Sequence, residues 1–309
     1  MHRYRDYNSY LREIFGERVQ KISLDAGLDC PNRDGKISEK GCIFCNRHGS
    51  GTGAWIEQGL SITEQINRAK KALAKRYKAK KFIAYFQSFT NTYAPVSRLK
   101  SLYDEALKQS DMVGLSVATR PDCIDGKILD LLNSYQENHL VWLEYGLQSS
   151  HRKTLKRINR GHGVSDFIRS VRQTNDRNLN TCAHVILGLP GENRAMMLET
   201  ARFLSHLPVQ GVKIHLLYVI RGTELEAIYR KGALHCLERE EYVGLVTDFL
   251  ELLPPHMVIQ RITGDPSGEE LVAPLWAEEK TDNIQLIREK LEREDRWQGR
   301  LFQEYSVRK

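Results

Sequence analysis

The sequence predicts an α/β protein: a partial, six-stranded parallel βα barrel followed by a C-terminal α+β extension. Three observations predict it. Strand-like and helix-like segments alternate between residues 19 and 219, giving six strands, and repeated βα units imply a parallel sheet with right-handed crossovers. No G-x-G-x-x-G follows any of these strands, so a barrel is expected rather than a dinucleotide-binding sheet. Polar clusters lie just beyond the strands, at 88–92, 119–122, 148–150 and 188–191, where barrels gather their chemistry. The chain has 309 residues, 41% of them apolar, which suits one large α/β domain. The expected division is 1–222 for the barrel and 223–309 for an extension packed on it.

Each element has its own local reason. Residues 19–24 (VQKISL) form the first apolar strand, and the cysteine-bearing stretch 29–45 leaves it as a loop. Ser61-Ile-Thr-Glu64 reads as a capping box that opens a helix to about residue 76. Residues 81–87 (KFIAYFQ) are rich in aromatic and β-branched types, hence a strand. Leu99, Leu102, Tyr103 and Ala106 share one face of a helix over 96–109. A strand over 112–118 precedes a helix over 124–137 with Ile128, Leu131, Leu132 and Tyr135 inward. Strands at 140–147, 180–187 and 211–219 enclose helices at 163–177 and 194–204. Beyond residue 222 the rhythm changes: helices near 224–231 and 239–253, a short strand at 258–262, then a helix over 281–295.

Composition narrows the class. No run of 18 apolar residues is present, so no membrane span is expected. The charged, aromatic N-terminus lacks the apolar core of a signal peptide, which predicts a cytoplasmic protein. Six cysteines are too few for a disulfide scaffold, and a reducing compartment favours metal at the clustered ones. Cys123, Cys182 and Cys236 are scattered and read as small apolar residues. The net charge of +7 and pI near 9.0 permit a polyanionic partner. The basic stretch 70–81 fits a solvated helix end or a phosphate-tracking surface equally.

Cys30, Cys42 and Cys45 are the most informative residues. Three thiolates in one short loop can hold an iron–sulfur cluster and leave one iron open for chemistry. With His48 they would instead make a closed Cys3His zinc site. Local spacing alone leaves the two equal. The loop's place at the active end of a large βα array favours the cluster, since structural zinc usually braces a small domain.

With these motifs the chain resembles the radical S-adenosylmethionine (SAM) enzymes. Most members have three residues between the first two cysteines; here eleven separate Cys30 from Cys42. The YtqA/YhcC-type subfamily shares the long spacing, and the resemblance runs almost end to end. It includes LDAGLDCPNRDG, CIFC, YFQSFTNTYAP, SVATRPDC, WLEYGLQSSH, RINRGH, ILGLPGE and RITGDPSGEELVAPLW. The resemblance implies that Cys30, Cys42 and Cys45 ligate a 4Fe–4S cluster whose fourth iron binds SAM. It places Ser88, Thr90 and Asn91 near the methionine amino group, where related enzymes carry glycines. It sets Gln148 and Arg160 against the ribose and carboxylate; a guanidinium's planar fork suits a carboxylate. Thr119 and Gly188 are further expected cofactor contacts. His162 and His184 read as hydrogen-bonded structural groups. Asp122 and Glu144 are candidate site carboxylates; Glu144, inside an apolar strand, needs a partner if it points inward.

The resemblance also implies a reaction. One electron from the cluster cleaves SAM reductively, and the 5′-deoxyadenosyl radical takes hydrogen from an unactivated C–H bond. The related branch acts on transfer-RNA wobble uridines, converting carboxymethylaminomethyl to aminomethyl groups. Its implied partners are transfer RNA, a one-electron donor such as flavodoxin or ferredoxin, and a downstream methyltransferase. The basic and aromatic residues Arg288, Lys290, Arg293, Arg296, Trp297 and Arg300 are compatible with RNA, and equally with i,i+4 pairing along a charged helix. Two alternatives stand: a radical enzyme on a small metabolite such as a porphyrinogen, and a zinc-bearing RNA-binding protein.

Overall fold

The alternating segments condense into one parallel sheet in the computed structural model, which describes residues 2–46, 49, 59–77, 79–266 and 268–303, without the side chains of 74–77. His48 lies outside the described residues. In chain order the elements are α1 (Tyr7–Phe15), β1 (Val19–Leu24), α2 (Ile62–Tyr77), β2 (Lys81–Phe86), α3 (Val96–Leu107), β3 (Met112–Thr119), α4 (Gly126–Ser134) and β4 (Leu140–Gln148). There follow α5 (Arg152–Arg157), α6 (Val164–Asn175), β5 (Asn180–Leu187), α7 (Arg194–Ser205), β6 (Gly211–Leu216) and β7 (Val219–Ile220). The chain continues with α8 (Glu224–Arg230), α9 (Arg239–Leu252), β8 (Val258–Arg261), β9 (Leu271–Ala273) and α10 (Lys280–Arg293).

The predicted local causes operate. Ser61 N–H donates to Glu64 Oε2 at 2.9 Å, and Glu64 N–H returns to Ser61 Oγ at 3.3 Å, closing the capping box of α2. The buried face of α3 is Leu99, Leu102, Tyr103 and Ala106. The helix expected from 124 starts at Gly126 because Asp125 caps it, accepting from Ile128 N–H at 2.9 Å.

The sheet order is β1-β2-β3-β4-β5-β6-β8, seven parallel strands where six were expected. The added strand is the 258–262 segment, which pairs with β6 through Gly211↔Val258 and Lys213↔Arg261. Two helices in succession hide its membership in the sequence, yet α9 serves as an ordinary crossover, and β8 covers an otherwise bare edge of β6. The strand expected over 211–219 breaks after Leu216; its remainder, β7, pairs antiparallel with β9.

The main core lies between sheet and helices, with Ile22, Phe86, Leu115, Leu143, Val185 and Ile214 meeting residues such as Leu99, Leu129, Phe167 and Phe249. The seam between β1 and β8 is closed from the N-terminus. Ile259 N–H donates to Arg5 O at 2.8 Å, and Asp6 bridges to Ile259. Helix α1, which the sequence reading did not anticipate, plugs the lower mouth: Tyr7 and Tyr10 meet the fully buried Trp142 edge-on at 6.2 and 5.8 Å. Among the described residues, no helix is long and apolar enough to cross a membrane.

Candidate active site

The upper mouth, at the C-terminal strand ends, carries the cysteine loop. The loop folds on itself: Cys30 O accepts from Arg33 N–H at 2.8 Å, and Cys42 O from Cys45 N–H at 2.9 Å. A second loop, between α5 and α6, clamps it. Asn32 Nδ2 donates to Asn159 O at 2.7 Å, Asn159 Nδ2 to Gly41 O at 2.6 Å, and Ile43 N–H to Ile158 O at 3.2 Å. Asn159 sits at φ 51°, a left-handed conformation that asparagine tolerates better than most side chains. Arg120 supports the clamp from β3's end. It holds Asp122 bidentately at 2.9 and 2.8 Å and donates to Arg160 O at 2.8 Å. RINRGH is therefore a brace for the cysteine loop.

All three cysteines line one cavity, and the sulfurs of Cys42 and Cys45 face cationic or amide donors. Arg160 Nη1 lies 3.5 Å and Asn32 Nδ2 3.7 Å from Cys42 Sγ; Arg33 Nη1 lies 3.6 Å from Cys45 Sγ. Burial, then the neighbouring Cys42 sulfur, push the Cys45 thiol up to about 11. A bound cation is what would turn such thiols into thiolates. A second sign of a missing partner is Thr90, whose buried hydroxyl lines the cavity with no hydrogen-bond partner among the described residues. Buried polar groups are normally satisfied. Three cysteines on one cavity wall, two of them with cationic support, beside an orphaned hydroxyl, fit a cluster and a polar cofactor.

The other expected contacts divide. Thr90, Thr119, Gln148 and Arg160 line the cavity with the cysteines. Gln148, at φ 74°, ends β4 in a left-handed turn. Arg160 directs Nη2 to Gly146 O at 2.9 Å as well as Nη1 to Cys42. Ser88, Asn91 and Gly188 stand behind the lining. Asn91 Nδ2 holds Ala118 O at 2.9 Å; Gly188, at φ 91°, turns the chain against Leu237. Where glycines were noted as lacking, Phe89 takes the left-handed conformation (φ 61°) and lines the cavity. His162 is a satisfied buried group, its Nε2 3.1 Å from Gly146 O.

The cavity continues down the barrel to a charge cluster of which the sequence reading named only two members. Glu144, fully buried, is held by Lys21 Nζ at 2.5 Å, His184 Nε2 at 2.7 Å, Lys213 Nζ and Ser116 Oγ. The partner that an inward Glu144 requires is thus a pair of lysines. Burial opposes its charge, but Lys21, Lys213 and the His184 hydrogen bond outweigh burial and keep the carboxyl well below its usual range. Burial and the Lys213 charge lower His184 to about 4, so its Nε2–H donates to Glu144. Burial brings Lys213 to about 7 against the pull of Glu144. Donor atoms of Glu144, Cys182 and His184 lie within 4.8 Å of one another, but a metal there would meet two ammoniums. Lys213 and His215, two apart in β6, and Arg261 in β8 were missed. Their signal was charge at alternate positions of an apolar strand, which places side chains on one face.

Residues 34–204 match the Radical SAM superfamily, and residues 209–293 match the Radical_SAM C-terminal domain. The chain belongs to the radical SAM superfamily. YtqA of Bacillus subtilis is 42% identical over 301 residues, 97% of this chain and 93% of YtqA. The tRNA uridine(34) acetyltransferase of Methanocaldococcus infernus is 29% identical over 158 residues, 50% of this chain and 29% of that protein. The solved structure of archaeal Elp3 from M. infernus superposes with a TM-score of 0.67 at 18% identity, covering 90% of this chain and 63% of that one; it shares the fold. This radical SAM enzyme uses a 4Fe–4S cluster and SAM. Membership removes the zinc-bearing binding protein from consideration.

Proposed function

We propose that this enzyme acts on the wobble uridine of transfer RNA, converting carboxymethylaminomethyl-(2-thio)uridine to aminomethyl-(2-thio)uridine. One observation carries the reading: a single cavity runs from three cysteine sulfurs to an inner end lined by Lys213 and Arg261, which suits a slender side group bearing a negative charge. The likeness of half the chain to a tRNA uridine(34) acetyltransferase and the net charge of +7 support an RNA substrate.

In this reading Cys30, Cys42 and Cys45 hold the cluster. When bound, the cluster and SAM supply a one-electron reduction that opens a radical route to an unactivated C–H bond. The chain supplies the rest. Thr90, Thr119, Gln148 and Arg160 contact SAM, while Ser88, Asn91 and Gly188 shape the turns behind them. Arg33 and Arg160 bring positive charge to the ligand sulfurs. Leu216, Leu217 and Ile220 give the cavity an apolar wall that excludes water from a reactive species. A flavodoxin- or ferredoxin-like donor delivers the electron, and a methyltransferase completes the modification.

The test is nucleoside mass spectrometry of transfer RNA from a strain lacking the enzyme, complemented with the wild type or with Cys42→Ala. Carboxymethylaminomethyl nucleosides are expected to accumulate without the enzyme and with Cys42→Ala, and to disappear with the wild type. Wobble nucleosides that are the same in all three strains would overturn the proposal.

A further inference from the structure

Lys213 is the register partner of His184 on one side and of Arg261 on the other, so the three side chains share the barrel's inner face. Glu144 is saturated by its partners. Lys213 gives one donor to Glu144 and one to Tyr85 OH at 3.0 Å, which leaves a third. Arg261 differs. Its side chain lines the cavity, yet no hydrogen bond or ion pair reaches its guanidinium from the described residues. His215, which also lines the cavity, has a buried Nε2 with no partner among them. Lys21 and Lys213 both pair with Glu144, and the other carboxylate of the cavity lining, Glu270, accepts from Asn46 at 3.0 Å, whereas Arg261 pairs with neither.

We propose that Arg261, with Lys213 and the His215 Nε2, forms a subsite for a carboxylate of the substrate at the inner end of the cavity. A planar guanidinium binds a carboxylate through two parallel hydrogen bonds. A single carboxylate supplies the partner that Arg261 lacks among the described residues, whereas a phosphate dianion would meet about twice the repulsion from Glu144 and Glu270 in the same lining. The subsite is built on β6 and β8, whereas the cysteine loop follows β1 and Arg160 follows α5. Arg261 therefore selects a substrate group; the cofactor end is served by other residues. The identity of that group as the carboxymethyl of the wobble uridine rests on the function proposed above.

The test uses the reconstituted full-length enzyme with SAM and two anticodon stem-loops. One carries carboxymethylaminomethyluridine, and the other carries the same group as its neutral carboxamide. The wild type is expected to bind the acid about tenfold or more tighter than the amide. Arg261→Gln is expected to bind both equally, and Arg261→Lys to keep part of the preference. A parallel titration follows N-methylglycine, with inorganic phosphate as control; the wild type is expected to bind the former weakly, and Arg261→Gln neither. Urea unfolding and the cluster's visible absorbance establish that the variants are folded and loaded. An acid-over-amide preference that survives in folded Arg261→Gln overturns the subsite and leaves the wobble-uridine reading standing. Failure of the wild type to bind either RNA, with N-methylglycine binding still dependent on Arg261, overturns that reading and supports the subsite. Loss of neither preference nor N-methylglycine binding in Arg261→Gln, or binding of phosphate in its place, overturns the carboxylate assignment.

Discussion

Gly146 has room for a hydrogen and little else on its Cα. A Cβ there would stand 2.4 Å from Arg160 Nη2 and 2.8 Å from Gln148 Nε2. Both are ends of long side chains, so in Gly146→Ala the backbone stays and the guanidinium moves away from Cys42. Unfolding free energy is expected to change by about 1 kcal/mol or less, while iron retained per chain after anaerobic gel filtration falls. Undiminished iron would remove Arg160 from cluster support. His184 gives a second expectation. Its folded value near 4 lies below its ordinary value of 6.5. Between these pH values the unfolded chain binds the proton and the folded chain does not, so this residue's contribution to stability is lost as pH falls through the window. His184→Gln is expected to flatten that loss, by up to about 3 kcal/mol across it. Urea midpoints of both proteins at several pH values in the window check this; parallel curves would contradict it.

At the scale of elements, α1 and β4 form the barrel's floor through Tyr7, Tyr10 and Trp142. Trp142→Ala is expected to cost about 3–5 kcal/mol, read from chemical denaturation. A cost under 1 kcal/mol would mean that the floor collapses to refill the space. Much of this architecture was legible in the sequence, because βα units obey local rules. The capping box at Ser61, the apolar face of α3 and the cysteine loop after β1 all declare themselves within a few residues. Helix α1 did not, because its apolar contacts lie on Trp142, far along the chain. Strand β8 was expected at 258–262, but its place in the main sheet was not, because its pairing with β6 crosses α8 and α9. Glu144 announced a need for partners, but only the sheet register shows that Lys21 and Lys213 meet it. Arg33 was invisible for the same reason: nothing local tells an arginine aimed at a sulfur from one in solvent.

At the scale of the molecule, the basic C-terminal residues serve cohesion. Arg296 reaches Asp248 and Glu251 at 2.5 Å and Glu294 at 3.1 Å; Arg300 also pairs with Glu251, and Lys290 holds Glu294 at 2.6 Å. Glu251 is only 1% exposed, so stripping its partner leaves a buried charge short of compensation. Arg296→Ala is expected to destabilise by about 2–4 kcal/mol and to change stem-loop affinity less than twofold, a pattern opposite to that of a phosphate contact. A large affinity loss with unchanged stability would return this tail to the RNA surface. The brace on the cysteine loop has a consequence for biosynthesis. The cysteines leave the ribosome early, but Asn159 follows the Asn32 that it fixes by 127 residues, and Glu270 follows the Asn46 that it holds at 3.0 Å by 224 residues. The loop's bracing contacts therefore form only when most of the chain has been made, and on the proposed ligand set cluster insertion is expected late in the life of the nascent protein.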